Sequence, residues 1–250
     1  MYSYNKLLGI IDKAKDLIYK YKNQYDRLSN KMEIQIQDKY YSKRTIHNIK
    51  ESIRPDLVSI NYNMIFFDFS NSWRKKKQRL YRINKNIGGE IQCINVGNDY
   101  IEFWIYEGDC IILVDYSLNL LKNDFALESV GCGSFINGRI DQFFVAEVYC
   151  FNDNNVDFRL RCEQYEYSNN KLSSVTTYVY HSMKRITVDS KDNDKLGYIK
   201  LGNGNGIEAN PEVYFDEFLY NENNCLYQIN RYTPYNENVG VAKIIIKNAK

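Results

Sequence analysis

The sequence predicts an α+β protein: an N-terminal helical region packed on an extended, twisted antiparallel β-sheet, built as a meander of hairpins. Three observations predict it. Apolar residues recur at intervals of three and four near the start of the chain, the helical period. From about position 88 the texture changes to short alternating runs broken by Gly, Asn and Asp. The aromatic content is dominated by 23 Tyr and 12 Phe, set against only 3 Pro, and such side chains suit pleated, half-buried surfaces. The division that follows is a helical region over 1–55 and a sheet region over 56–250, forming one continuous structural unit.

The first thirty residues carry Leu7, Leu8, Ile10, Ile11, Ala14, Leu17, Ile18, Tyr21, Tyr25 and Leu28, with Lys13, Lys15, Asp16, Lys20 and Lys22 mostly between them. That stripe predicts one amphipathic helix of about eight turns, docked on the rest of the chain. A second, shorter helix is expected over 41–55, with Ser42 as its cap and Pro55 ending it. Over 56–70, Val58, Ile60, Tyr62 and Met64 alternate with Ser59, Asn61 and Asn63, the pattern of a strand.

The runs EIQCINV, YIEFWIYEG, CIILVDYS and ALESVGCGSF then read as successive strands. Asn137-Gly138 between apolar flanks predicts a type I′ hairpin, because both central positions of that turn need positive φ. In VDFRLRCE, Val156, Phe158, Leu160 and Cys162 share one face, while Asp157, Arg159, Arg161 and Glu163 share the other. One face is expected to meet a core and the charged one to meet water or a partner.

Charge is unevenly spread. Residues 1–90 hold 19 Lys+Arg and 9 Asp+Glu, a net of +10, and residues 91–250 hold 14 and 22, a net of −8. Such asymmetry bears on partners and docking more than on fold. LLGII at 7–11 is cut by Asp12 and Lys13 before it reaches signal-peptide length, and no apolar run approaches a membrane span. A soluble, cytoplasmic protein without membrane contact is therefore expected, its six scattered cysteines reduced.

Two stretches match each other. EQYEYSNNKLSSVTTYVY at 163–180 and DEFLYNENNCLYQINRY at 216–232 each run into a tyrosine (Tyr167, Tyr220) and then an Asn-rich turn. Leu172, Val175 and Tyr178 in the first then match Leu226, Ile229 and Tyr232 in the second. Each unit reads as a hairpin whose Asn residues tolerate left-handed turns and whose aromatics pack across strands. The pattern resembles the tyrosine-rich hairpin repeats of bacterial Rhs/YD-type toxin proteins, and is similar to Tyr/Asn-rich immunity proteins that neutralise polymorphic toxins. The resemblance covers about 35 residues. It implies a toxin-neutralising or toxin-associated role and carries over no active-site residue.

Candidate chemistry is sparse. His47 and His181 have no H-x-x-H partner, and no pattern calls for a metal or a cofactor. Gly131-Cys132-Gly133-Ser134 offers a nucleophile only with a base beside it, and reads as a turn between strands. LGNGNGIEANPE at 201–212 lacks the Lys-Ser/Thr of a phosphate loop and reads as a flexible loop. Asp216 and Glu217 are adjacent on a strand, so they point to opposite faces and form no catalytic dyad.

Acidic and tyrosine residues of the two copies suit capture of a basic protein partner: Glu163, Tyr165, Glu166, Tyr167, Asp216, Glu217, Tyr220 and Glu222. The expected function is non-catalytic protein binding, most concretely a bacterial immunity protein that occludes the active site of a basic toxin domain. The alternative is a nucleic-acid-associated protein using Trp73, Arg74, Lys75, Lys76, Lys77, Arg79 and Arg82, where cations interleave with the stacking surfaces of Trp73 and Tyr81. A hydrolase built around Cys132 or the carboxylates stands third.

Overall fold

The computed structural model describes residues 2–35, 38–42, 81–85, 91–96, 98–119, 122–152, 155–183, 198–202, 205–208, 210–223, 226–232 and 242–245. Two helices open the chain, α1 (Tyr4–Tyr21) and α2 (Tyr25–Gln35), followed by β1 (Asp38–Ser42), β2 (Tyr81–Lys85), β3 (Ile91–Val96), β4 (Tyr100–Glu107) and β5 (Cys110–Asn119). Long strands follow: β6 (Asp124–Ile136), β7 (Arg139–Asn152), β8 (Asn155–Ser168) and β9 (Lys171–Tyr180). The remainder are β10 (Ser182–Met183), β11 (Tyr198–Gly202), β12 (Asn205–Glu208), β13 (Glu212–Tyr220), β14 (Leu226–Tyr232) and β15 (Ala242–Ile245).

Among the described residues one antiparallel sheet of 12 strands runs in the order β1 to β9, then β13, β14 and β15. It is a meander in which sequential strands pair, and β10, β12 and β11 form a separate three-stranded sheet. The hairpin turns are set by their residues. Asn137 and Gly138 have φ of 53° and 73°, and Asn169 and Asn170 have φ of 50° and 68°, the paired positive values a type I′ turn needs.

The apolar stripe of the first thirty residues forms two helices rather than one. Ser3 caps α1 by accepting from the Lys6 amide at 3.4 Å, and the helix buries Leu7, Ile11, Ala14, Leu17, Ile18 and Tyr21. The break at 22–24 lets Tyr25 turn onto the sheet, where its ring stacks on Phe125 at 4.1 Å and meets Tyr116 edge-on at 5.5 Å. The Tyr116 hydroxyl donates to the Tyr21 carbonyl at 2.5 Å, filling one of the acceptors left open at the end of α1. Residues of both helices share one apolar cluster with Phe103, Val114, Val130, Phe144, Phe158, Leu160 and Cys162 of the sheet.

Three further expectations are corrected. Tyr41 and Ser42 lie in β1, paired with Arg82 and Tyr81, and not at a helix start; the rest of the expected helix and the strand over 56–70 lie outside the described residues. Gly131-Cys132-Gly133 is not a turn but the middle of β6, paired on both sides. The ring of Phe143 on β7 lies over both glycines: a Cβ at Gly131 would sit 2.8 Å from it, and one at Gly133 2.5 Å. The glycine-rich stretch after 200 contributes β11 and β12, which pair from Tyr198↔Glu208 to Gly202↔Asn205.

The charged side of β8 is also corrected. Asp157, Arg161 and Glu163 are buried, on a face shared with the buried apolar side chains Leu113, Phe143 and Val145. Alternation says which residues share a face, but not whether that face is covered. Two pairs of opposite charge meet there: Arg159 bridges Glu147 at 2.8 Å, and Arg161 Nε stands 3.6 Å from Glu163 Oε1. Cys93, Cys110, Cys132 and Cys162 form no disulfide.

Candidate protein-binding surface

The two matching stretches lie side by side. β8–β9 is the first hairpin and β13–β14 the second, and β9 pairs directly with β13. Their registers repeat: Tyr165↔Val175 and Tyr167↔Leu172 in one become Phe218↔Ile229 and Tyr220↔Leu226 in the other. Both ladders shift register immediately before the tyrosine, at Glu166/Tyr167 and at Leu219/Tyr220. A cation just after the preceding turn covers each tyrosine ring: Arg139 lies 5.3 Å from the centroid of Tyr167, and Lys171 lies 5.0 Å from that of Tyr220. The Tyr220 hydroxyl also donates to the Leu172 carbonyl at 3.0 Å, joining the second copy to the first.

Register then decides which expected residues can be touched. Glu163 and its counterpart Asp216 are each only 1% exposed, and Tyr165 and its counterpart Phe218 are buried with them. Tyr165 donates to Glu163 Oε2 at 2.5 Å. Glu163, Tyr165 and Asp216 therefore belong to the interior and not to an exposed acidic face. Glu166 and Glu222 are exposed, whereas Tyr167, Glu217 and Tyr220 are half-buried. Asp216 and Glu217 face opposite sides, as strand geometry requires.

On the side of the sheet that carries the helices, beyond the T-shaped contact of Tyr2 with Tyr178 at 5.5 Å, two rows cross β8, β9, β13 and β14. One row is Gln164, Thr176, Phe215 and Tyr232, and the next is Glu166, Ser174, Glu217 and Asn230. Phe215 and Tyr232 are 37% and 41% exposed, with ring centroids 5.8 Å apart. Ser174 Oγ donates to Glu166 at 2.8 Å, while Asn230 Nδ2 and the Tyr232 hydroxyl donate to Glu217 at 2.8 and 3.3 Å. Both carboxylates are held in place by neutral donors. Phe215 and Tyr232 escaped the sequence reading as surface residues because only strand pairing sets their row next to that of Glu166 and Glu217.

Sequence reasoning also missed a buried carboxyl pair. Glu102 and Asp115 are directly opposite across β4 and β5, both buried; the Trp104 indole N–H donates to Glu102 and the Ser129 hydroxyl to Asp115. Burial, reinforced by the Asp115 charge and opposed by the Trp104 bond, holds the Glu102 carboxyl well above the usual range. Burial likewise pushes up the phenol of Tyr100, and the carboxyls of Asp115 and Glu102 add to that shift. The signal was visible only as Glu102 in an apolar run.

Nucleophile chemistry finds no assembled site among the described residues. Cys132 faces α1 in a cleft of about 160 Å³ whose described lining includes Lys13 and Ser134 but no histidine. Burial raises its thiol, with Lys13 opposing. His181 instead sits 3.2 Å from Glu212, which also accepts from the Tyr214 hydroxyl at 2.9 Å. His47 and the basic stretch from Trp73 to Arg79 lie outside the described residues; Arg82 is in β2.

No family model matches the chain, and no curated protein matches it. Among solved structures, a porin-like protein from Bacteroides vulgatus is similar at 10% identity over 68% of this chain and 92% of that chain, with a TM-score of 0.19. At that TM-score the likeness carries no argument about this protein. No helix among the described residues is long and apolar enough to cross a membrane.

Proposed function

We propose that this protein binds another protein without catalysing a reaction, and that it is a cytoplasmic bacterial immunity protein occluding the active site of a basic toxin domain. The reading treats the molecule as an α+β unit with its helical region laid on a twisted sheet, so that the surface over β8, β9, β13 and β14 is left to meet the partner. The observation that carries it is the pair of exposed rings Phe215 and Tyr232, in the row next to the one that holds Glu217 and, two strands from it, Glu166. Aromatic side chains supply contact area at little entropic cost, and carboxylates at the rim steer a cationic partner. Glu222, Tyr167 and Tyr220 border that surface, while Glu163, Tyr165 and Asp216 hold the strands beneath it.

The test is co-expression with the product of the neighbouring gene, read by host survival and by binding kinetics of the purified pair. Reversing Glu166 and Glu217 to Lys should slow association about tenfold at low salt, because steering acts on the encounter rate. Replacing Phe215 and Tyr232 by Ala should raise the dissociation rate and abolish protection. Wild-type protection by both double variants would remove this surface from the reading.

A further inference from the structure

A second feature, independent of the toxin-binding reading, lies at the other end of the molecule. Lys20 and Tyr21 from the last turn of α1, Gln24 from the connection, Arg27, Leu28 and Lys31 from α2, and Ile105 and Glu107 from β4 line a cleft of about 400 Å³. That volume falls within the roughly 300–1,000 Å³ typical of small-molecule sites. We propose that this cleft binds an amphiphilic oxyanion, a molecule with a phosphate or carboxylate head and a short apolar body.

The charge at its rim points to the head. Three cations converge there, against one carboxylate among the described lining residues. The pair of Lys20 with Glu107, at 3.5 Å, is half exposed on both sides and offsets little. Arg27 and Lys31 are four residues apart on α2 and so share a face, where like charges disfavour the helix. An oxyanion between them removes that repulsion and can take two parallel bonds from the guanidinium. Gln24 Oε1 accepts from Arg27 at 3.5 Å, which holds the guanidinium near the connection between the helices.

The floor points to the body. Tyr21 and Leu28 are buried, and Ile105 is half-buried against the core. A bare inorganic ion would leave this apolar surface wet, whereas a chain or ring attached to the head would cover it.

The experiment is calorimetric titration of the full chain with decyl phosphate below its micelle concentration, with inorganic phosphate as comparator, at low and high salt. Expected is saturable binding at one site per chain that weakens with salt, with inorganic phosphate at least about tenfold weaker. The exposed double variant Arg27→Gln/Lys31→Gln should lose about tenfold in decyl phosphate affinity, while the charge-matched Lys6→Gln/Lys15→Gln should bind like wild type. Ile105→Ser should weaken decyl phosphate and leave inorganic phosphate unchanged. Circular dichroism checks that each variant keeps its fold. Non-saturating uptake, equal losses in the two charge variants, or inorganic phosphate binding as tightly as the decyl ester would each overturn the assignment.

Discussion

Phe143 decides the identity of two residues on the neighbouring strand, because its ring occupies the space that side chains at Gly131 and Gly133 would fill. Gly133→Ala places a methyl 2.5 Å from ring carbon, and both partners sit in paired strands with little room to give. The expected cost is about 1–3 kcal/mol of stability in urea unfolding, the usual range for overpacking. Adding Phe143→Leu should return part of it, so the two changes couple in a double-mutant cycle. Glu102 gives a second residue-scale outcome. Its folded carboxyl titrates well above the ordinary 4.5, so the folded state holds a proton that the unfolded chain releases sooner. Stability contributed by that proton is complete below about 4.5 and is lost as pH rises from there through the folded value. Glu102→Gln keeps an uncharged side chain at every pH. Urea midpoints of the wild type should fall more steeply between pH 4.5 and neutrality than those of the variant, and parallel curves would contradict the shift.

Hairpins are the element at which this sequence was most legible, and the reason is local. Asn137-Gly138 and Asn169-Asn170 specify their turns by their own tolerance of positive φ, and no distant residue is needed to read them. The Gly131-Cys132-Gly133 stretch was misread as a turn because the ring that demands small residues lies on the following strand. The glycines near 202–206 were misread for a related reason: pairing between β11 and β12 is long-range information that composition does not carry. The spacing of Tyr, Leu, β-branched residue and Tyr in the two copies did predict equivalent hairpins, but it said nothing of their lying side by side. Their junction is held in part by the Tyr220 hydroxyl on the Leu172 carbonyl. Tyr220→Phe keeps the ring under Lys171 and removes that bond, so it should cost about 1 kcal/mol. Amide exchange should quicken in β13 and β14 while β4 to β6 are unaffected; uniform acceleration would mean the bond supports the whole sheet rather than one junction.

At the scale of the molecule, burial on both sides of the central strands changes what the charged residues do. Reading polar alternation as exposure failed for Asp157, Arg161 and Glu163 because coverage of the far face depends on the whole architecture. The helical stripe, by contrast, predicted its own burial, since an amphipathic segment of this kind is stable only when docked. That dependence should run both ways. Ile18 is fully buried, in one apolar cluster with side chains of the central sheet strands. Removing three carbons there leaves a cavity that close-packed neighbours refill only in part, and Ile18→Ala should cost about 2–5 kcal/mol. The decisive measurement follows the variant with two probes during denaturation. Far-UV circular dichroism reports helix and sheet together, and in a Trp73→Phe background tryptophan fluorescence reports Trp104, whose side chain is buried on the sheet face away from α1. If helices and sheet form one cooperative unit, both transitions shift together to lower denaturant and stay superimposed. A fluorescence midpoint left at its wild-type position, with only the dichroism displaced, would show that the sheet stands without its helical layer.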